Sequence, residues 1–129
     1  MQRAIFCFGS NLAGIHGAGA ARYAMEHFGA KYDQGIGQVG FSYAIPTKNE
    51  HNETLPLSEI QKYVEQFIQY ATNHPELTFN MTRIGCGLAG YQDQDIAPMF
   101  IHAPANVRLP SEWVTYCGKD NHEYINWQY

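Results

Sequence analysis

The chain has 129 residues, of which 45% are hydrophobic and 16% charged, and its formal net charge is −4. One domain over residues 1–129 is the expectation, large enough to bury about two-thirds of its unfolded surface without a disulfide or metal. This balance excludes a disordered chain and, lacking a basic face, a general nucleic-acid binder; no stretch reads as a signal peptide or a membrane span.

Residues 3–9, RAIFCFG, are an apolar run too short for a helix and ended by glycine, as in a buried strand. The glycine-rich segment GSNLAGIHGAG (9–19) follows. From about Ala18 to Phe28 the residues favour helix, and Gly29 suits the left-handed position after one. Residues 30–40 read as a loop. Within them Gly35, Gly37 and Gly40 match a dinucleotide-binding string, but they neither follow a predicted strand nor open a helix, so the match carries no weight. FSYAIPT (41–47) is a second predicted strand.

Leu57, Ile60, Val64, Phe67, Ile68 and Ala71 fall on one helical stripe, with Ser58 and Gln61 at the spacing of a capping box, and Asn73-His74-Pro75 ends the helix. LTFNMTRI (77–84) alternates as a third strand and leads into GCGLAGY (85–91). A short helix is expected with Asp95 as its cap and Pro98 in its first turn. Of NVRLP and the aromatic tail 113–129, at least one is expected to be a strand. Strands alternating with helices call for an α/β fold of three layers, α/β/α, with a mostly parallel sheet. In such sheets the loops leaving the carboxyl ends of strands gather at one edge, where ligands bind.

That topology brings two distant glycine loops to one edge. Glycine lets backbone amides approach an anion closely, and a following helix adds its free N–H groups and positive dipole end. Gly14, Gly17 and Gly19 stand in the first loop; Gly85, Gly87 and Gly90 stand in the second. No Asp or Glu occurs before Glu26 or between Glu76 and Asp93, although the chain is acidic overall. An anionic ligand requires such acid-free loops.

FGSNLAGIHGAGAA, SYAIPTKN and RIGCGLAGY resemble the two ligand loops of macrodomains and the strand between them. The similarity runs over roughly residues 4–103 and is tight at these three segments. The branch most similar holds the ADP-ribose 1''-phosphate phosphatases and the terminal ADP-ribose glycohydrolase, along with short phage and bacterial macrodomain-like proteins. The resemblance implies a ligand of ADP-ribose type held by Gly9, Ser10, Asn11, Gly17, Ala18 and Gly19 of the first loop. In the second loop, Gly85, Cys86, Gly87, Leu88, Ala89 and Gly90 would take the diphosphate, with Tyr91 packing on the distal ribose. It places Asn11 near that ribose and Lys48 where the glycohydrolase branch has its nucleophile. The acidic partner of that lysine is absent, because Ala89 stands in its position. The family's initial strand and adenine-reading Asp have no counterpart either, so adenine recognition is expected from elsewhere.

The candidate catalytic residues are His16, Asn11, Asp93 and Lys48. His16 lies inside the first loop and suits a general acid–base; Asp93 would orient a water. Lys48 suits a phosphate contact or a nucleophile. Cys86 lacks an adjacent base and reads as packing. The six histidines show no paired spacing and no Cys-x-x-Cys occurs, so neither metal nor cofactor is expected. Cys7, Cys86 and Cys117 read as free thiols, giving a cytoplasmic expectation. The leading expectation is an enzyme that hydrolyses a group at the distal ribose of an ADP-ribose derivative, ADP-ribose 1''-phosphate first. A non-catalytic reader of ADP-ribose-type nucleotides shares every glycine. Hydrolysis on an ADP-ribosylated protein through Lys48 is the third option. The tail aromatics Tyr124, Trp127 and Tyr129 read either as an oligomer contact or as a cover over the sheet edge or core.

Overall fold

A computed structural model describes residues 3–128. Its centre is one six-stranded sheet, in the order β2-β3-β1-β4-β5-β6. The strands are β1 (Ile5–Asn11), β2 (Gly37–Val39), β3 (Ser42–Lys48), β4 (Phe79–Met81), β5 (Val107–Pro110) and β6 (Glu123–Ile125). β2 runs antiparallel to β3, and every other pairing is parallel. The helices are α1 (Gly19–His27), α2 (Leu57–Asn73), α3 (Asp93–Ile96) and α4 (Val114–Cys117), with short 3-10 turns at Ala97–Phe100 and Ser111–Trp113. The architecture is the expected three-layer α/β/α fold.

The layers follow from strand alternation. In β1, Ile5 and Cys7 join the larger core with Ile60, Val64, Phe67 and Ala71 of α2. Phe6 and Phe8 point the other way, into a smaller core with Ala24 of α1 and Ala44 of β3. The four buried positions of α2 fall on one stripe, and Phe67 meets the Phe79 ring edge-on at 5.3 Å. The α1 face is thin beyond β1. There the row Phe6–Asn80–Arg108–Glu123 crosses the strands, and it turns polar after the first residue. Trp127 covers the join, edge-on to Phe6 at 5.6 Å with its indole N–H donating to the Met81 carbonyl at 2.9 Å. The tail therefore covers the core, and of its residues Tyr129 lies outside those described.

Four expectations need correction. Residues 30–40 contain the edge strand β2, whose three residues are all half-buried and show no alternation. The third strand stops at Met81, two residues before Arg83, because the Thr82 hydroxyl donates to the Cys7 carbonyl (2.8 Å) where the chain turns off the sheet. Ser58 and Gln61 form no capping box, since the chain enters α2 through extended Pro56 and both lie within the helix. Asp95 is the third residue of α3 rather than its cap; its carboxylate accepts the N–H of Gln92, which is the cap. Both NVRLP and the tail contribute strands.

Candidate functional site

The carboxyl ends of β1, β3 and β4 open into one cleft of about 920 Å³. A volume near 900 Å³ is at the upper end for small-molecule sites, roughly 300–1,000 Å³. Both glycine loops line it. From the first come Gly9, Ser10, Asn11, Ile15, Gly17, Ala18 and Gly19, and from the second Gly85, Cys86, Gly87, Leu88 and Ala89. Lys48, at the end of β3, lines it between them.

The first loop is built in two halves. Asn11 staples its start: the side-chain oxygen accepts the Ile15 N–H (2.9 Å) and the amide donates to the Ile15 carbonyl (2.8 Å). Gly14 has φ +71°, and a Cβ there would lie 2.4 Å from the Gln34 nitrogen, so this glycine serves a tight turn against the neighbouring loop. Ser10 likewise points away from the mouth, its hydroxyl donating to the Gly35 carbonyl. The second half, from Gly17 into the first turn of α1, brings the amides of the helix N-terminus to the cleft. Ala18 is extended and α1 has no acidic residue in its first turn, so the helix amides and their dipole stand uncompensated.

The second loop is clasped from two sides. Thr54 donates to the Ala89 carbonyl (3.0 Å), and the Tyr91 hydroxyl to the Leu55 carbonyl (2.8 Å). Beneath it, Arg83 and Asp93 form a two-point ion pair, with Nε to Oδ1 at 3.0 Å and Nη2 to Oδ2 at 2.7 Å. The buried Trp113 indole donates to the same carboxylate at 2.8 Å. Arg83 and Asp93 flank the loop, with one residue intervening on either side, so the pair closes its stem.

Several predicted roles do not survive this geometry. His16 is 1% exposed and does not line the cleft. Its Nε2 lies 2.9 Å and 3.2 Å from the Lys31 and Gln34 carbonyls, and its ring stands edge-on to Phe8 at 5.4 Å. Two carbonyl acceptors require a proton on Nε2, so His16 is a structural donor tying the first loop to residues 31–34. Asp93 belongs to the ion pair and also stands outside the cleft lining. The Arg83 guanidinium holds its carboxyl below the usual range and is itself pushed up. Asn11 lines the mouth with its side-chain oxygen and one amide hydrogen bond spent on Ile15, which makes it a loop staple. Gly90 and Tyr91 lie outside the lining, with the Tyr91 ring packed on the larger core. Cys86 reaches the cleft, but burial pushes its thiol up to about 12, which disfavours the thiolate near neutral pH.

Other cleft residues escaped sequence reasoning. Phe6, Tyr23 and Trp127 supply an aromatic wall, and Arg83 and Glu50 supply charges. The aromatic tail was the one visible signal of that wall; nothing in the spacing of Phe6, Tyr23 and Trp127 ties them together. Among the described residues no group of three or more His, Cys, Asp or Glu is placed to hold a metal, and no helix is long and apolar enough to cross a membrane.

No family model matches the chain, and no curated protein matches it. A solved structure of a protein of unknown function from Bacteroides thetaiotaomicron is similar with a TM-score of 0.57 at 14% identity, covering 81% of this chain and 83% of that one. At that identity the likeness concerns the fold alone.

Proposed function

We propose that this protein binds ADP-ribose or a derivative in the cleft and hydrolyses a group at the distal ribose, ADP-ribose 1''-phosphate being the first substrate to test. One observation carries the reading: two glycine segments about seventy residues apart in the chain line the same cleft. Their amides, with the N-terminus of α1, suit a diphosphate. The aromatic wall of Phe6, Tyr23 and Trp127 suits the flat apolar face of a base. Lys48 at the mouth suits an anionic group on the distal ribose.

A second reading is a binding-only protein. It gains support from the removal of His16 and Asp93 from the cleft, which leaves fewer acid–base groups at the mouth. Calorimetric titration with ADP-ribose, alongside phosphate release from ADP-ribose 1''-phosphate, separates the two. Binding with turnover supports the enzyme, binding without turnover supports the reader, and no binding to either nucleotide overturns both.

A further inference from the structure

With His16 and Asp93 tied into the scaffold, the cleft needs another group able to move a proton. Among the described residues lining it, Glu50 is the sole carboxylate. It stands on a turn whose backbone is tightly fixed. Asn49 accepts the N–H groups of His51 and Glu53, both at 2.9 Å, and the Asn49 N–H donates to the Glu53 carbonyl at 2.8 Å. An antiparallel bridge joins Lys48 to Thr54, and the Leu55 N–H donates to the Thr47 carbonyl (2.9 Å). The Thr54 hydroxyl then fastens this hairpin to Ala89 of the second glycine loop. Glu50 is thereby carried on a stiff arm at the mouth, between Lys48 and Asn52, which also line it. Its neighbour Glu53 is engaged by the Asn49 amide at 3.1 Å, whereas Glu50 makes no hydrogen bond or ion pair with the described residues.

Glu50 is exposed and shares the cleft with the loop amides; a carboxylate there repels a diphosphate, a cost that solvent reduces, so on binding grounds alone it contributes nothing. A general base is the role that offsets this cost. We propose that Glu50 is the general base of the site, acting on the water that attacks the group carried by the distal ribose. The proposal rests on the ADP-ribose reading above. On ADP-ribose 1''-phosphate, a water O–H bond breaks and its proton passes to a Glu50 carboxylate oxygen as the water oxygen bonds to phosphorus. The bond from phosphorus to the 1'' oxygen breaks on the face opposite the attacking water, and that oxygen takes a proton from solvent while Glu50 returns its own to solvent. The products are ADP-ribose with a free 1''-hydroxyl and inorganic phosphate, with Glu50 ionised again. Lys48 offsets the charge on the phosphoryl oxygens.

The test measures ADP-ribose affinity and phosphate release on wild type, Glu50→Gln, Glu50→Ala and Glu50→Asp. General-base catalysis is typically worth about 10²–10⁴-fold, so Glu50→Gln is expected to slow turnover by roughly that factor. Its affinity for ADP-ribose should stay equal or rise, since a repelling charge is gone. Formate should restore part of the Glu50→Ala rate, and Glu50→Asp should keep more activity than Glu50→Gln. Turnover by Glu50→Gln at the wild-type rate overturns the proposal and leaves the ADP-ribose reading standing, as does wild-type binding without turnover. Failure of wild type to bind either nucleotide overturns the reading and the proposal together. Folding is checked by thermal melting, and slowed turnover without formate rescue at unchanged Tm counts against the general-base role.

Discussion

Gly85 and Gly87 lie two residues apart in one loop, yet they should fail in opposite ways when replaced by alanine. Gly85 has φ +75°, and a Cβ there would stand 3.0 Å from Cδ1 and 3.2 Å from Cγ1 of Ile96, which is fully buried. The left-handed backbone costs an alanine about 1–2 kcal/mol, and forcing a methyl against a packed core side chain adds about 1–3 kcal/mol. Near 3 kcal/mol in total lowers Tm by about 10 °C in a domain of this size. Gly87 has no positive φ, and a Cβ on it would meet nothing within 4 Å, so Gly87→Ala should melt with wild type. The added methyl would instead stand in the cleft, where on the proposed reading a diphosphate would meet the loop amides. Losing one charge-assisted hydrogen bond of about 1.5–3 kcal/mol weakens binding by roughly 10- to 150-fold. Differential scanning fluorimetry and calorimetric titration with ADP-ribose read the two effects separately. Gly87→Ala binding as tightly as wild type would refute the idea that these amides grip the ligand. An unchanged Tm in Gly85→Ala would refute the conformational argument.

Three further outcomes follow from the surroundings of Asp93, His16 and Cys86. Asp93→Asn should lower stability by about 1–3 kcal/mol, because Arg83 loses its ionised partner. Asp93 ionises more readily folded than unfolded. Its contribution is therefore complete above the unfolded value of about 3.9 and lost as pH falls through the lower folded value. Urea midpoints between pH 7 and 2 should fall less steeply in acid for Asp93→Asn, and parallel curves would contradict the assignment. His16→Ala should cost about 2–4 kcal/mol by leaving a cavity and two unmatched carbonyls, with any turnover by the folded fraction unchanged. Active-site titration before and after thermal challenge checks this. Cys86, with its thiol pushed up to about 12, should take up iodoacetamide at pH 8 markedly more slowly than a free cysteine of ordinary pKa, as read by mass spectrometry.

Much of the fold was legible because the signals were periodic. β1, β3 and α2 follow from runs and a stripe whose apolar residues are largely buried, α1 follows from helix-favouring residues ended at Gly29 although only its Ala24 is buried, and Gly35, Gly37 and Gly40 lead into β3 and not a helix. β2 escaped because three half-buried residues at a sheet edge carry no alternation. The convergence of the two glycine loops was legible from topology. β1 sits between β3 and β4, while α1 and α2 cover opposite faces, which makes the carboxyl end of β1 the crevice of the sheet. The direction of individual side chains was not legible. His16 lies in the correct loop yet turns inward to two carbonyls supplied from residues 31–34, and no spacing rule anticipates that loop's position. Asp93 was misread because its partners, Arg83 and Trp113, are ten and twenty residues distant and meet only through the closed loop stem.

Leu88 turns this geometry into a statement about kinetics. It is 75% exposed, the extreme among the large apolar residues described, although it sits in a loop where glycine and alanine otherwise prevail. Its Cδ1 comes 3.9 Å from where a Cβ on Gly19 would stand, so the side chain reaches from the second loop towards the first across the cleft mouth. An exposed leucine contributes little to folding, so Leu88→Ala should melt within about 1–2 °C of wild type. Over a bound nucleotide the same side chain would be covered on its inner face. Burying part of a leucine, about 1–2 kcal/mol, then corresponds to roughly 5- to 30-fold slower escape. Truncation should appear in the dissociation rate and scarcely in the association rate, because the mouth is already open before the ligand arrives. Stopped-flow displacement of a fluorescent ADP-ribose analogue measures both constants. Equal dissociation from Leu88→Ala and wild type would mean that the leucine does not cover the ligand, and an accelerated association would mean that it obstructs entry instead.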